Sequence, residues 1–331
     1  MNDVEGRTRI TGGLDHAYGA NSHQMIRTEA KGNALSVMEQ AGGMFNVVYP
    51  PAGYEDRYGE SATPQYSSGK HEGENLYKWV VREDTGDVLG LHSGTYPQIE
   101  SYRFLAEMAE QMFPNSATGC TVIGNGERIM LKQDVSAAVD LGGDVIQPQV
   151  LWISSFNGTW STSVMDSMYR WFCSNQIVTG NALFKCRHTE NHNYTFETRA
   201  FVLEESVKRA HNFASMARVL KDQSYTDEQF KELTLELVPK PMPFPGETEV
   251  AERRWTLVRK KREHMTNKWN EEVEQWGAGT RWLAYNAVQG AEQHNINTGF
   301  TASEAGIEKS LVKAIDGRTP LSGKALTLLA R

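Results

Sequence analysis

The chain has 331 residues and a formal net charge of −7, and 39% of its residues are hydrophobic and 23% charged. This is the composition of an ordinary globular protein that can bury a large core. No run approaches the roughly 18 apolar residues of a membrane helix, and the amino terminus lacks the apolar segment of a secretory signal. We therefore expect a cytoplasmic protein without a membrane partner.

Charge is unevenly distributed along the chain. Residues 1–120 hold nine cationic and sixteen acidic side chains, so the residues that follow are balanced overall and contain local basic patches. Such patches attract polyanions over long distances. If a nucleic acid is a partner, its contacts should therefore lie in the later part of the chain.

The first 75 residues predict a polar arm followed by a mobile loop. They are weakly periodic, and residues 50–75 combine Pro, Gly, Ser and charge with little aliphatic content. Segments of this kind lack a core of their own. One short helical candidate, Ala34–Gln40, lies within the arm.

Residues 76–160 predict an antiparallel sheet with one helix. Alternating residues flank a turn at 83–87, and strand-like segments flank Asn125-Gly126 and Asn157-Gly158, so three hairpins are expected. Apolar residues at helical spacing between the first two hairpins predict the helix. Pro148 indicates that the strand containing it begins at a sheet edge.

Residues 161–238 predict a helical layer packed on the sheet. One helix is expected over 162–179, and a longer one in TRAFVLEESVKRAHNFASMARVLKDQ has small and apolar residues on one face. Thr226 and Gln229 form a capping box at the start of the next helix.

The remaining sequence predicts a linker and a basic helical region. Four prolines make residues 239–248 a stiff linker, and residues 249–331 predict one long helix from 249 to 276 and another from 303 to 315. The order of the elements gives an α+β fold, in which an antiparallel hairpin-built sheet with helices precedes a helical carboxyl-terminal part.

The cysteines have more than one interpretation. Cys120, Cys173 and Cys186 have no CxxC spacing, which favours a reducing compartment over a disulfide framework. Cys173 lies in YRWFCSNQIVTGNALF, where it would be either a nucleophile or a small buried hydrophobe. A nucleophile needs a neighbouring base or a helix amino terminus, so a position inside a predicted helix favours packing.

Nucleotide and metal chemistry have few candidates. The GK pair Gly323-Lys324 lacks both the spacing glycine and the hydroxyl of a P-loop. Cys186, His188 and His192 offer one thiol and two imidazoles, which suffice in number for zinc, but the absence of a second CxxC or HxxxE favours side chains that line a polar strand or loop. No catalytic residue and no cofactor is therefore predicted, and zinc at these three residues stays open.

A basic tract with interleaved tryptophans is the main candidate for binding. Phosphate contact and base stacking require clustered cations beside aromatic rings, and the alternative is a solvated helix whose tryptophans, Trp255 and Trp269, pack inward. The residues expected to contact DNA are Arg253, Arg254, Trp255, Arg259, Lys260, Lys261 and Arg262. A second cationic surface is expected from Arg170, Arg187 and Lys208.

Several segments together resemble one family. They are VVREDTGDVLGLHSGTYPQIE, YRWFCSNQI, RWLAYNAVQG and SLVKAIDG, and they resemble sequence blocks of the phage/plasmid-like proteins, a domain of unknown function. The resemblance covers residues 76–316. This chain has Pro97-Gln98-Ile99-Glu100 where the family usually has Gln-Asn, and Gln176-Ile177 where it usually has Thr-Leu. A phage or plasmid origin in a bacterial host cell is implied.

The family's layout of hairpin strands and helices is similar to that of the single-strand annealing proteins RecT, Red-beta and Erf. This implies a DNA recombination protein, not an enzyme, that binds single-stranded DNA and anneals complementary strands as a homo-oligomeric ring or filament. A phage exonuclease would be a further partner. Two alternatives stay open, namely a phage structural or host-takeover protein that acts through protein contacts only, and a zinc-dependent enzyme.

Overall fold

The structure, a computed structural model of the chain, describes residues 9–11, 32–52, 54–55, 61–62, 77–94, 96, 98–170, 176–186, 196–241, 248–293, 315–316 and 320–331. Within these ranges the predicted α+β class is confirmed, because antiparallel sheets precede a helical carboxyl-terminal part. None of the helices in these ranges is long and apolar enough to cross a membrane.

The described residues form twelve strands and seven helices. The strands are β1 (Arg9–Thr11), β2 (Val47–Val48), β3 (Tyr54–Glu55), β4 (Ser61–Ala62), β5 (Tyr77–Arg82), β6 (Val88–Ser93), β7 (Ala117–Ile123), β8 (Arg128–Asp134), β9 (Val139–Asp140), β10 (Val145–Ser155), β11 (Thr162–Arg170) and β12 (Gln176–Cys186). The helices are α1 (Ala34–Gln40), α2 (Arg103–Met112), α3 (Phe196–Lys221), α4 (Asp227–Leu237), α5 (Thr248–Trp276), α6 (Arg281–Gln293) and α7 (Pro320–Leu329).

The main sheet has seven antiparallel strands in the order β1-β7-β8-β10-β11-β12, with β9 paired to the start of β10. Both hairpins predicted from Asn-Gly pairs lie in this sheet. Gly126 and Gly158 adopt the positive φ angles, 114° and 72°, that favour glycine in tight turns. The first predicted hairpin lies in a smaller sheet, β2-β5-β6, and β3 pairs with β4 separately.

The prediction of a helix over residues 162–179 is wrong. This segment belongs to β11 and β12, which pair antiparallel from Thr162 opposite Cys186 to Tyr169 opposite Gln176. Nearly every residue of β11 is buried, because both faces of the sheet are covered at this point. The strand therefore lacks the alternation that identifies a half-exposed strand in a sequence. The predicted helical layer begins only with α3.

Pro148 lies within a central strand and not at the sheet edge that the sequence indicated. On one side β10 pairs with β11, whereas on the other it pairs first with β9 and, from Gln149 onward, with β8. Pro148 falls between these two partners, where its missing N–H leaves no ladder hydrogen bond unmade. Its carbonyl accepts a hydrogen bond of 3.1 Å from Val135 N.

One face of the main sheet packs against α1 and α2, which are both helices that the sequence predicts. Trp152, at the centre of β10, is fully buried in the core between the sheet and these two helices. Its Nε1 donates to Gln133 Oε1 at 2.7 Å, and Gln133 Nε2 donates to the carbonyls of Ala109 and Phe113 at 3.2 and 3.1 Å. A buried side-chain amide therefore adds hydrogen bonds to the carbonyls at the carboxyl end of α2.

Helices α3 to α7 form a second core. Trp282 of α6, Trp269 of α5 and Phe230 of α4 are buried at its centre. The predicted capping box is present at the start of α4, where Thr226 and Gln229 exchange side-chain and backbone hydrogen bonds. The long helix expected from residue 249 is confirmed as α5.

Arg170, at the end of β11, connects the sheet to this second core through buried ion pairs. Its Nε lies 2.8 and 2.9 Å from the carboxylate oxygens of Asp144, and its terminal nitrogens donate to Glu272 at 2.6 and 2.9 Å. Trp282 Nε1 donates to the same Asp144 at 2.7 Å. Since all three charged side chains are buried, each depends on its partners to offset lost hydration.

Replacing Arg170 by Met should destabilise the fold strongly. The variant leaves Asp144 and Glu272 buried without their counter-charge, and breaking a buried ion pair costs about 3–5 kcal/mol. Urea denaturation followed by circular dichroism measures this loss. Arg103→Met is the control, because the Arg103 pair on the surface of α2 should contribute only about 0.5 kcal/mol. Equal free energies of unfolding for the two variants would contradict the prediction.

His92 joins the small sheet to the main sheet. Its ring is buried, its Nε2 is hydrogen-bonded to the carbonyl of Phe156 after β10, and it stacks on Tyr96 with centroids 3.9 Å apart. Burial lowers the pKa of His92, and the hydrogen bond to Phe156 partly opposes that shift. The fold therefore accommodates the neutral imidazole better than the imidazolium.

Acidification should weaken this connection. Because the pKa of His92 in the folded chain is below its ordinary value of about 6.5, the unfolded chain binds the proton first, and the free energy of unfolding falls as the pH drops through that value. His92→Gln keeps a donor for Phe156 and removes the titration. The urea midpoint should therefore fall less between about pH 7.5 and pH 5.5 in the variant than in the parent chain. An equal loss in both chains would refute this role.

Candidate nucleic-acid interface

The basic tract lies on α5, whose two halves have different surroundings. In the second half, Met265, Trp269 and Glu272 are buried. In the first half, none of residues 249–264 is buried. The helix is therefore anchored by its second half, and its first half carries the predicted cations into solvent.

Trp269 belongs to the core. Its ring stacks on Phe230 with centroids 4.8 Å apart and an interplanar angle of 9°, and its Nε1 donates to Asp227 Oδ1 at 2.8 Å. Both partners lie in α4, so these contacts fix α5 to that helix. For Trp269 the structure thus confirms inward packing, one of the two alternatives that the sequence allows.

Trp255 is only half-buried and is surrounded by positive charge. Arg262 Cζ lies 5.2 Å, Lys240 Nζ 5.3 Å and Arg259 Cζ 5.7 Å from its ring centroid, within the range of cation–π attraction. A hydrogen bond of 2.9 Å from Arg262 Nε to the carbonyl of Val238 orients this guanidinium. We call these four side chains the Trp255 cluster, namely Trp255, Lys240, Arg259 and Arg262.

The cations of the Trp255 cluster have no acidic partner among the described residues. The ion pairs found there involve other cations, and Arg259 contacts Thr256 of its own helix at 3.3 Å. Like charges that converge on one ring repel one another, and an anion between them relieves the repulsion. The cluster therefore has the electrostatics of an anion site that also presents an aromatic face.

A second group of side chains lies on the opposite side of α5. Successive residues turn by about 100° around a helix, so residues spaced three, four and seven apart share a stripe that points away from Trp255. All four members of the stripe are exposed. We call it the basic face of α5, and its members are Val250, Arg253, Leu257 and Lys260.

Two further predicted cations lie beside the basic face. Lys261 is half-buried, and Arg254 is exposed. Between residues 249 and 263 the chain holds six cationic and three acidic side chains, although the whole chain carries −7. The first half of α5 is therefore a positive patch on an acidic protein.

The second predicted cationic surface is not formed by the described residues. Arg170 is fully buried in its ion pairs, so its assignment as a phosphate contact is wrong. Lys208 is exposed but lies 3.5 Å from Glu205. Glu205 also pairs with Arg209, whose hydrogen bond lowers the pKa of the Glu205 carboxyl. Arg187 lies outside the described ranges.

The predicted zinc ligands fall at the end of β12 and beyond it. Cys186 ends the strand, and His188 and His192, like Cys173, lie outside the described ranges. Within those ranges no group of three or more His, Cys, Asp or Glu side chains is placed to hold a metal ion. Cys120 is fully buried, and burial raises the pKa of its thiol, which argues against a nucleophile at this position.

Two lysines have positions that the sequence did not reveal. Lys240 lies in the proline-rich segment predicted to be a linker, and it reaches Trp255 because α4 ends just before it. Lys132 of β8 is fully buried, and burial lowers its pKa to about 8. On the same face of the sheet, Gln149 Nε2 donates to Asp134 Oδ1 at 2.8 Å. The charged residues Lys132 and Asp134 within the strand RIMLKQD are the sequence signal for this buried polar row.

One family model spans most of the main sheet and helices α2 to α6. Residues 89–315 match the family described as Domain of unknown function (DUF932). The chain belongs to this family. It matches no curated protein and no solved structure. The resemblance to a domain of unknown function is thus confirmed, and the phage origin and the similarity to annealing proteins stay predictions.

Proposed function

We propose that this DUF932 protein binds single-stranded DNA at the Trp255 cluster and anneals complementary strands as an oligomer. The observation that supports the proposal is a half-exposed tryptophan with three cations around it and, among the described residues, no carboxylate that neutralises them. Cations along a phosphate backbone supply affinity through counterion release, and an aromatic ring stacks on a base of any sequence. The Trp255 cluster combines both functions.

The Trp255 cluster fits an unpaired strand better than a duplex. In a duplex each base is stacked on its neighbours, so a ring on the protein surface has no base face to meet. A single strand can place one base on Trp255 and the flanking phosphates beside Lys240 and Arg259. These contacts leave the Watson–Crick edges free, which is the condition for pairing with a second strand.

The cations of the tract have different roles in this proposal. Arg262 uses its Nε for the Val238 carbonyl, and its planar terminal nitrogens can contact a phosphate in a fixed orientation. Lys240 and Arg259 add two charges beside the same ring. The cations on the basic face of α5 attract a polyanion from a distance, and this attraction is screened by salt.

Removing charge from the Trp255 cluster should flatten the salt dependence of single-strand binding. The double variant Lys240→Gln/Arg259→Gln loses two phosphate contacts, and each contact contributes about 0.7 to the slope of log K against log salt. The slope should therefore become less steep by about 1.4. Fluorescence anisotropy with a labelled oligonucleotide over a salt series measures it.

The matched control removes the same charge elsewhere. Arg103→Gln/Arg218→Gln changes two exposed cations, on α2 and α3, and should leave the slope near that of the parent chain. Equal slopes for both double variants would remove the Trp255 cluster from the mechanism. If the parent chain fails to bind single strands at moderate salt, a protein that acts through protein contacts only is favoured.

Removing the aromatic ring should weaken single-strand binding and slow annealing. Stacking of one base contributes about 1–3 kcal/mol, so Trp255→Ala should raise the Kd about 5- to 150-fold, whereas Trp255→Phe keeps a stacking face and most of the affinity. Annealing is followed by quenching between two labelled complementary oligonucleotides. The stacking role is refuted if Phe and Ala weaken binding equally, or if affinity for a blunt duplex falls by the same factor.

A further inference from the structure

The small sheet β2-β5-β6 is apolar on both of its faces. Its inner face contributes Val80 and Leu89 to the core. On the outer face, cross-strand neighbours share a side, and the register places Val81 between Val48 and Val88 and Trp79 opposite Leu91. We call this the outer sheet face, and its members are Val48, Trp79, Val81, Val88 and Leu91.

Three members of the outer sheet face are exposed. Val48, Val88 and Leu91 keep 43%, 55% and 46% of their surface exposed. Val81 and Trp79 beside them are half-buried, and a cluster of exposed apolar side chains on a sheet is typical of a surface that binds another protein.

Acidic side chains border one end of the outer sheet face. The turn between β5 and β6 holds Glu83, Asp84 and Asp87 immediately before Val88. Arg82 pairs with Asp84 at 2.7 Å and lowers the pKa of that carboxyl. Glu83 and Asp87 have no cationic partner among the described residues, so this end of the surface is negative.

The basic face of α5 also presents exposed apolar side chains, and its charge is opposite to that of the acidic turn. Val250 and Leu257 are 45% and 52% exposed, and seven residues of helix separate them by about 10.5 Å. A bulge in this hairpin places Val88 opposite Val81 and Leu91 opposite Trp79, so the two side chains are about two strand residues, roughly 7 Å, apart. Arg253 and Lys260 flank the apolar pair of the helix with positive charge.

We propose that the outer sheet face of one copy of this protein binds the basic face of α5 of a second copy. With Leu257 on Val88, Lys260 lies almost one helical turn further on, beside the acidic turn of the other copy. Both surfaces present exposed apolar side chains, and the charges that border them are opposite in sign within one sequence, which favours a second copy over an unrelated partner.

This contact is head-to-tail, because each copy presents two different surfaces. Repeated contacts of this kind build a ring or an open filament. Trp255 lies on the other side of α5, so the contact leaves the Trp255 cluster accessible. The proposal therefore does not depend on the proposed DNA site, and either one can fail alone.

Mixing two variants tests the contact. Val88→Asp removes the outer sheet face, and Leu257→Asp removes the basic face, so each variant alone should sediment as a monomer where the parent chain forms larger species. A mixture of the two retains one intact pair of surfaces and should form a heterodimer and nothing larger. Val219→Asp, at an exposed position of α3, is the control and should associate like the parent chain.

Sedimentation velocity measures the species, and thermal melts by circular dichroism confirm that each variant is folded. A monomeric parent chain, parental association of either folded variant, or a mixture that stays monomeric would each overturn the proposal. Monomeric Val88→Asp should bind a short single-stranded oligonucleotide with the parental salt slope. Failure of the contact thus leaves the Trp255 predictions intact, and failure of DNA binding leaves the association result intact.

Discussion

The guanidinium of Arg170 lies out of reach of water between Asp144 and Glu272, and the placement of α5 depends on this interaction. Asp144 lies between β9 and β10, Arg170 ends β11, and Glu272 lies in the second half of α5. The ion pairs of Arg170 therefore connect the main sheet to α5, and the planar guanidinium fixes their relative orientation. Desolvation offsets much of the attraction in such a network, so its main effect here is to specify one packing.

Anchoring one half of α5 determines what the other half can do. Trp269 is buried with a ring partner and a hydrogen-bond partner, whereas Trp255, two heptads earlier in the same helix, has cations as its neighbours. Burying the positive charges of the tract would be costly without paired carboxylates. The positive charges therefore lie on the first half of α5, outside the core. This location also makes them accessible to a partner.

Local sequence signals predicted much of the fold. Asn-Gly pairs identified two turns because glycine tolerates positive φ, and the Thr226 and Gln229 side chains identified the start of α4 because they satisfy exposed N–H groups. β11 escaped prediction because a strand covered on both faces has no alternation. Its Arg170 also escaped, because its partners lie 26 and 102 residues away in sequence. Similarly, the basic tract predicted Arg259 and Arg262, but only tertiary structure adds Lys240 to them.

The exposed first half of α5 also has a consequence for order in this helix. Most helical stability in proteins comes from packing of one face against a core, and this half has no buried residue. The like charges of Arg259 and Arg262, three residues apart, oppose helix formation further. Amide hydrogens should therefore exchange faster with solvent deuterium toward Thr248 than toward Trp276. A bound polyanion would remove the charge repulsion. Binding of the polyanion and formation of the first turns of α5 are therefore coupled equilibria.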